Sequence, residues 1–387
     1  MIPRKRLLIG ALALAFCLSP APPAIAAETG ALPSTQAIAS LVQTHTGYPV
    51  KVSVYATGLN NPRGLTFGPD GHLYVAEGGR GGTHTTTAMD CTQVPEVGPY
   101  SGSYTGGRIS RIDHHGHRVT VTNKFPSSQT NAASGGLVSG VADVAFLGHK
   151  LYALTAGAGC SHGLKGTYNG IARVDPDGSI HWIANLSRYQ KHHPVQNPEE
   201  EDFEPDGTWY SMVALHGYLY ALEPNHGELV RVSLDGKVRR VVDVSASQGH
   251  IVPTALAHHG HFFIGNLNTF PITPGSSKVL KLTRNGQLWP VAGHLTTVLG
   301  IAFHHGRMYV LENTTGKDNL APTPGTGKVV RIDPSGARRA VVTGLVLPSA
   351  LTFGPDGALY VSNMGFGFPP GMGQVLRFDF DAWRHPH

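Results

Sequence analysis

Six positions in this sequence carry oxygen-bearing side chains at the end of an apolar strand segment, at matching places in a repeated pattern. In chain order they are Glu77, Thr155, Glu223, Asn266, Glu312 and Asn363. Carboxylate and amide oxygens are ligands that Ca²⁺ prefers, so the Glu and Asn residues, gathered around one axis, could hold this cation. They are therefore a candidate metal site. The competing interpretation is that they bond to backbone groups at strand ends or line a hydrated channel.

A second set of polar residues opens the first strand of five repeats. These residues are Arg63, Asp143, Ser211, Thr254 and Ser349. If the first strands surround a common axis, four of them (Arg63, Ser211, Thr254 and Ser349) are candidate ligand-binding residues. Arg63 could bind an anionic ligand or pair with Glu77. Asp143 is a candidate for acid–base chemistry.

The most acidic stretch, residues 191–210, lies on a connection that we expect on the same face. It is either a solvated loop or a site for calcium or a cationic partner. His192 and His193 begin it and are further candidates for acid–base chemistry.

Most other clustered histidines belong to turns. His114, His115 and His117 occupy one turn, and the segments 258–261 and 304–306 occupy turns where other repeats have Gly-Pro-Asp-Gly. Polar residues are common in such turns. We therefore expect these histidines on the opposite rim, away from the candidate sites.

A repeated two-part motif must position all of these residues. Its first half is strand, tight turn, strand, and its second half begins with Gly or Ser and adds two more strands. The first halves are 65–76, 144–154, 213–222, 255–265, 301–311 and 351–362. Four strands per unit, repeated six times, predict an all-β, six-bladed β-propeller of four-stranded antiparallel blades.

The sixth unit lacks its outer strand. The segment Lys51–Leu59 resembles the outer strand of the fifth unit, so we expect it to pair with the last blade and close the ring. Residues 51–387 are thus predicted to form a single domain. Long insertions are predicted at 78–106, 157–169 and 188–209.

The N-terminal segment predicts export. Arg4, Lys5 and Arg6 precede a short apolar run, and Ala24-Ile25-Ala26 forms a cleavage signal. We expect residues 1–26 to be a cleaved signal peptide, residues 27–50 a linker, and the protein to be secreted or periplasmic. No segment predicts a membrane span.

Charge and cysteine content agree with this location. The loss of three basic residues with the signal lowers the formal net charge from +5 to +2, which gives no basis for nucleic-acid binding.

Cys91 and Cys160 remain after cleavage of the signal, and an even number of cysteines in an exported protein favours a disulfide. Two free thiols are the alternative. We expect a monomer.

The run 55–82 (YATGLNNPRGLTFGPDGHLYVAEGGRGG) resembles the opening of the ScyD/ScyE family of secreted proteins. Cys91 and the segments 253–256, 270–272 and 299–303 are similar to this family as well. The resemblance covers residues 50–380 and implies a propeller related to NHL-type repeats, without an established activity. A looser similarity to gluconolactonase-like propellers implies a Glu/Asn/Asp metal site in the channel.

Two functional hypotheses follow. The first is a secreted propeller that binds a small ligand or an extracellular partner on the face carrying the candidate residues and has no chemistry of its own; no cofactor is certain for it. The second is a Ca²⁺-dependent hydrolase or lactonase, with a carboxylate or His192 as the base. The absence of a Gly-x-Ser-x-Gly elbow and of a phosphate-binding loop excludes two common enzyme classes.

Overall fold

The computed structural model describes residues 40–47, 50–198, 203–316 and 322–380, and nearly all of their regular structure is β-strand. In chain order the strands are β1 (Gln43–Thr44), β2 (Lys51–Leu59), β3 (Pro62–Phe67), β4 (Leu73–Glu77), β5 (His84–Thr85), β6 (Ser101–Ile112), β7 (Arg118–Gln129), β8 (Val138–Ser139), β9 (Val141–Leu147), β10 (Lys150–Thr155), β11 (Gly170–Val174), β12 (Ile180–Asn185), β13 (Ser211–Leu215), β14 (Tyr218–Glu223), β15 (Glu228–Val232), β16 (Val238–Asp243), β17 (Pro253–His258), β18 (Phe262–Asn266), β19 (Ser277–Leu282), β20 (Leu288–Leu295), β21 (Val298–His304), β22 (Arg307–Glu312), β23 (Gly327–Ile332), β24 (Arg338–Leu345), β25 (Ala350–Phe353), β26 (Leu359–Asn363) and β27 (Gly373–Asp379). The helices are α1 (Leu186–His192) and α2 (Val244–Gln248), with 3-10 turns at Ala132–Ser134 and Cys160–His162.

Antiparallel pairing groups these strands into six blades. From the inside outward the blades are β3-β4-β6-β7, β9-β10-β11-β12, β13-β14-β15-β16, β17-β18-β19-β20, β21-β22-β23-β24 and β25-β26-β27-β2. The six innermost strands contact one another in chain order, and β25 contacts β3. The predicted six-bladed propeller is confirmed.

The ring closes through its last blade. Strand β2 pairs antiparallel with β27, with Lys51 opposite Asp379 and Leu59 opposite Gly373. This confirms the predicted closure by the N-terminal strand. In addition, β1 pairs with the outer edge of β24, so part of the predicted linker adds a fifth strand to blade five.

Apolar side chains fill the spaces between neighbouring blades. Leu73 and Val75 alternate with a less buried residue in β4, as expected for a strand with two unequal faces. They share one cluster with Tyr360 and Val375 of blade six. The innermost strands are thereby fixed relative to one another, and so are the residues at their ends.

The top face is defined here as the end of the ring where each second strand ends and each innermost strand begins. The insertions of blades one and two lie on it and are joined by the predicted disulfide, with the Cα atoms of Cys91 and Cys160 6.2 Å apart. At the opposite end, His258 and His304 are the last residues of the first strands of their blades, and His259, His261 and His305 lie in the turns that follow.

Several predictions fall on residues outside the described ranges. These residues include the predicted signal peptide, Glu199–Asp202 of the acidic connection, and 381–387 of the predicted domain. In the described part of the chain, no helix is long and apolar enough to cross a membrane.

Candidate functional site

The candidate calcium ligand Glu77 is fully buried and already surrounded by donors. Its carboxylate accepts hydrogen bonds from the Arg108 guanidinium at 2.8 and 2.5 Å, from the Ser110 hydroxyl at 2.5 Å and from the Asn60 backbone N–H at 2.6 Å. Glu77 therefore ties the third strand of its blade to the segment that enters that blade.

The other two carboxylates at second-strand ends bond in the same way. Glu223 accepts the backbone N–H of Thr208 at 2.9 Å and of His226 at 2.5 Å. Glu312 lies 3.1 Å from the Lys328 ammonium. Burial raises the pKa of Glu312, and the positive charge of Lys328 opposes that rise.

The amides and the hydroxyl of the set also bond to backbone groups. Asn266 accepts the Lys278 N–H and donates to the Ile251 carbonyl, and Asn363 accepts the Val346 N–H. The Thr155 hydroxyl bonds to the backbone of Gly170. Polar ends of second strands thus hold each blade's entry segment or third strand.

These contacts do not fit a resident cation. The carboxylate oxygens of Glu77 and Glu312 face Arg108 and Lys328, so a divalent ion would have to displace a partly buried guanidinium or ammonium group from a buried carboxylate. No group of three His, Cys, Asp or Glu side chains in the described residues could hold a metal ion. The structure gives the predicted calcium ligands a structural role.

Asp143 lies where three innermost strands meet. Its carboxylate accepts the Met212 N–H of β13 at 2.7 Å and the Val144 N–H of its own strand at 2.8 Å, and the Ser211 hydroxyl lies 3.4 Å away. Gly64 of β3 makes this position possible, because a Cβ there would lie 1.9 Å from the carboxylate.

The Asp143 carboxyl titrates in an unusual range. Burial raises its pKa to about 7, and hydrogen bonds from Met212, Val144 and Ser211 oppose that rise. A carboxyl group that is half protonated near neutral pH can both accept and donate a proton, which is typical of functional sites.

Arg63 enters the same region from β3. Its guanidinium donates to the carbonyls of Gly365 and Val138, each at 2.6 Å, and lies 5.6 Å from the centre of the Phe366 ring. Among the described residues, no ion pair includes Arg63. Burial lowers its pKa, because the charged form loses hydration.

Tyr210 interacts electrostatically with both Arg63 and Asp143, and the sequence analysis did not select it. Its hydroxyl donates to the Ser349 carbonyl at 3.1 Å. Burial raises its pKa to about 12, with the Arg63 charge opposing the rise and the Asp143 charge adding to it. The sequence feature that could have identified Tyr210 is its position directly before β13, an innermost strand. Arg63, Asp143, Tyr210 and Ser211, none of them fully buried, are called the channel mouth below.

The remaining predicted ligand-binding residues serve the contacts between blades. The Thr254 hydroxyl donates to the Val298 carbonyl at 2.5 Å, and the Ser349 hydroxyl donates to the Pro62 carbonyl at 2.6 Å. Both side chains are buried. They join neighbouring innermost strands and present no free hydroxyl to a ligand.

The histidine pair lies elsewhere. His192 and His193 are exposed at the end of α1, where the His193 ring stacks on Tyr189 with centroids 4.4 Å apart. The His193 carbonyl accepts a hydrogen bond from Arg240 of β16, the outermost strand of blade three. The pair thus lies on a connection between blades, as expected, but beside the outermost strand of blade three and not among the residues around Arg63 and Asp143.

A second cluster of ionisable groups was missed by the sequence analysis. His162 is fully buried, with Nδ1 2.9 Å from the Ser128 hydroxyl and Nε2 3.2 Å from the Glu204 carboxylate. The other oxygen of Glu204 accepts from the Tyr100 hydroxyl at 2.9 Å. These four residues, called the junction cluster, come from the insertions of blades one and two, from β7 and from the acidic connection.

Comparisons with known proteins agree with this architecture. A gluconolactonase from Xanthomonas campestris is 12% identical, with a TM-score of 0.51 over 87% of this chain and 93% of that one. A PQQ-bound aldose sugar dehydrogenase from Streptomyces coelicolor is 15% identical, with a TM-score of 0.51 over 86% and 98%. A putative glucose dehydrogenase from Thermus thermophilus is 17% identical, with a TM-score of 0.50 over 85% and 100%.

The likeness is one of fold. No protein-family model matches the chain, and no curated protein matches its sequence. The resemblance to the ScyD/ScyE family therefore stays a resemblance.

Proposed function

We propose that this chain is an exported β-propeller that binds a small ligand at the channel mouth. The observation that supports this most is the state of Arg63. Its guanidinium is held by two neutral carbonyls and has no carboxylate partner in the described residues. A charge withdrawn from water without a counter-charge costs stability, so a site that keeps one is suited to a ligand.

Three partly buried cations of the blades each face a carboxylate. Arg108 bonds to Glu77, Arg240 to Glu228 and Lys328 to Glu312. This contrast separates Arg63 from these structural cations. The long top-face insertions fit the same proposal, since loops on a rigid scaffold commonly carry recognition.

A thermal-shift screen of sugars, hydroxy acids and lactones tests the proposal. We expect the screen to find a stabilising ligand, and we expect Ser211→Phe to abolish the shift by filling the channel mouth. Ser247→Phe, on the exposed surface of α2, is the matched control and should bind normally. If Ser211→Phe retains the full shift, the ligand binds elsewhere and the proposal fails.

A second candidate is lactone hydrolysis, and the titration range of Asp143 favours it. In this reaction the Asp143 carboxylate removes a proton from water, and the resulting hydroxide adds to the carbonyl carbon. Arg63 stabilises the oxyanion, the ring C–O bond breaks, and the leaving oxygen takes the proton from Asp143. One water is consumed and one hydroxy acid is formed. The gluconolactonase with this fold motivates the substrate class.

Lactone assays decide between this chemistry and its calcium-dependent form. Here Asp143 acts as the base, so Asp143→Asn should remove the hydrolysis of gluconolactone above the spontaneous rate, and a chelator should not. Loss of activity with the chelator, restored by Ca²⁺, would instead support calcium catalysis.

A further inference from the structure

We infer that the channel mouth selects a small monocarboxylate, which Arg63 binds directly, and that Asp143 takes up a proton as this anion binds. The inference rests on the proposed function, namely that a ligand occupies the channel mouth. It adds the charge of the ligand and the uptake of a proton by Asp143 when the ligand binds.

Hydrogen bonds hold the Arg63 guanidinium in a fixed orientation and use only some of its N–H donors. A guanidinium carries five N–H donors, and here two of them are committed to carbonyls. One carbonyl, Gly365, belongs to blade six, and the other, Val138, belongs to the connection between blades one and two. Bonds on both sides fix the plane of the group while leaving donors for a carboxylate, which guanidinium groups bind in a forked arrangement.

The charge balance favours one negative charge on the ligand. Arg63 contributes a single positive charge; Tyr210 interacts with this charge and also with Asp143, which packs against Gly64, the residue after Arg63. A second negative charge, as on inorganic phosphate, would have no cation to face. The other buried or partly buried cations named above are already paired with Glu77, Glu228 and Glu312.

Asp143 is the group that takes up the proton. The groups that face its carboxylate are the backbone of Gly64 on β3, the N–H groups of Val144 and Met212, the Ser211 hydroxyl, and Tyr210. With a pKa of about 7, its carboxyl is partly ionised at neutral pH, whereas Tyr210, with a pKa of about 12, stays neutral.

An anion nearby disfavours a second negative charge and raises the pKa of Asp143 further. Binding at a pH above 7 therefore draws a proton from solution. Affinity should fall by up to roughly tenfold for each pH unit in that range, until ligand binding no longer protonates Asp143.

Calorimetry with chemically matched probes tests the inference. The probes are acetate, lactate and gluconate, their neutral amides, and inorganic phosphate. We expect at least one carboxylate to bind at millimolar concentration or below, more tightly than its amide and than phosphate. Repeating the titration at pH 8 in buffers with different heats of ionisation should show proton uptake.

Three variants assign the effects to residues. Arg63→Met should weaken carboxylate binding by roughly 10- to 100-fold, as expected for a lost charge-assisted hydrogen bond, and leave amide binding nearly unchanged. Asp143→Asn should bind the carboxylate without proton uptake. Arg231→Met, which removes an arginine stacked on Tyr218 of the outer surface, is the control and should bind normally. If Arg63→Met fails to fold, Arg63→Lys replaces it and should still weaken carboxylate binding.

Three results would overturn the inference. Equal binding of carboxylates and amides, or binding of no carboxylate, would show that the site does not select a monoanion. Unchanged proton uptake in Asp143→Asn would place the proton elsewhere. The Ser211→Phe screen decides separately whether the proposed function survives, so the two failures can be told apart.

Discussion

The channel mouth and the junction cluster both gather ionisable groups from three parts of the chain, but they treat charge differently. In the junction cluster each group has a partner: His162 lies between Ser128 and Glu204, and Glu204 also accepts from Tyr100. In the channel mouth, within the described part of the chain, Arg63 has only neutral partners and Asp143 only N–H and O–H donors. A buried ionisable group therefore does not mark function by itself; the channel mouth is distinguished by a cation, Arg63, that has no carboxylate partner in the described residues.

The largest expected effect tests the structural half of this comparison. His162→Ala leaves Glu204 and Ser128 without their partner in a buried position and removes a ring packed 4.5 Å from Tyr100. We expect the free energy of unfolding to fall by about 4 kcal/mol, as measured by urea denaturation. His114→Ala, in an exposed turn, is the control. Normal stability of His162→Ala would mean that the cluster is not structural.

The disulfide next to the junction cluster should have the next largest effect. Cys160 begins the 3-10 turn that carries His162, and the bridge closes a loop with a sequence separation of 69. Replacing both cysteines by serine should lower the unfolding free energy by about 3 kcal/mol. The measurement is the urea midpoint of the double variant against that of the oxidised protein. Equal midpoints would show that the bridge does not stabilise the insertions.

Glu77→Gln extends the comparison to the candidate calcium ligands. The substitution removes the charge that faces Arg108, so we expect a loss of about 2 kcal/mol in unfolding free energy. Addition of Ca²⁺ should not change the melting temperature of the wild type through this residue. Glu96→Gln, at an exposed position, is the control. A calcium-dependent stabilisation that disappears in Glu77→Gln would restore the metal interpretation.

The smallest effect concerns Asp143 and depends on pH. Its pKa is about 7 in the fold and about 4 in an unfolded chain. The folded state thus holds more protons between these values, and its stability falls as the pH rises through this window. In Asp143→Asn the loss of stability from pH 5 to pH 8 should be smaller by about 1 to 2 kcal/mol, after allowance for residual solvent exposure. Denaturation curves at both pH values measure it, and an unchanged pH dependence would contradict the assignment.

The sequence predicted the fold well because a repeated strand pattern carries the same information six times. It also placed Arg63, Asp143 and Ser211 together, since each opens an innermost strand. It could not decide the role of Glu77, because the decisive partners, Asn60 and Arg108, become neighbours only through strand register. The junction cluster was beyond reach for a related reason: Tyr100 and Glu204 both lie in irregular segments, and they meet although 104 positions separate them in the sequence.

The pairing of β2 with β27 has a consequence for the order of events during biosynthesis. The strand that completes the last blade is made before any complete blade, and its partner, Gly373–Asp379, is made after all the others. Until that partner emerges, β2 has no permanent neighbour and the barrel of blades stays open. The last blade, and with it the closed ring, can therefore form only after Gly373–Asp379 has been synthesised.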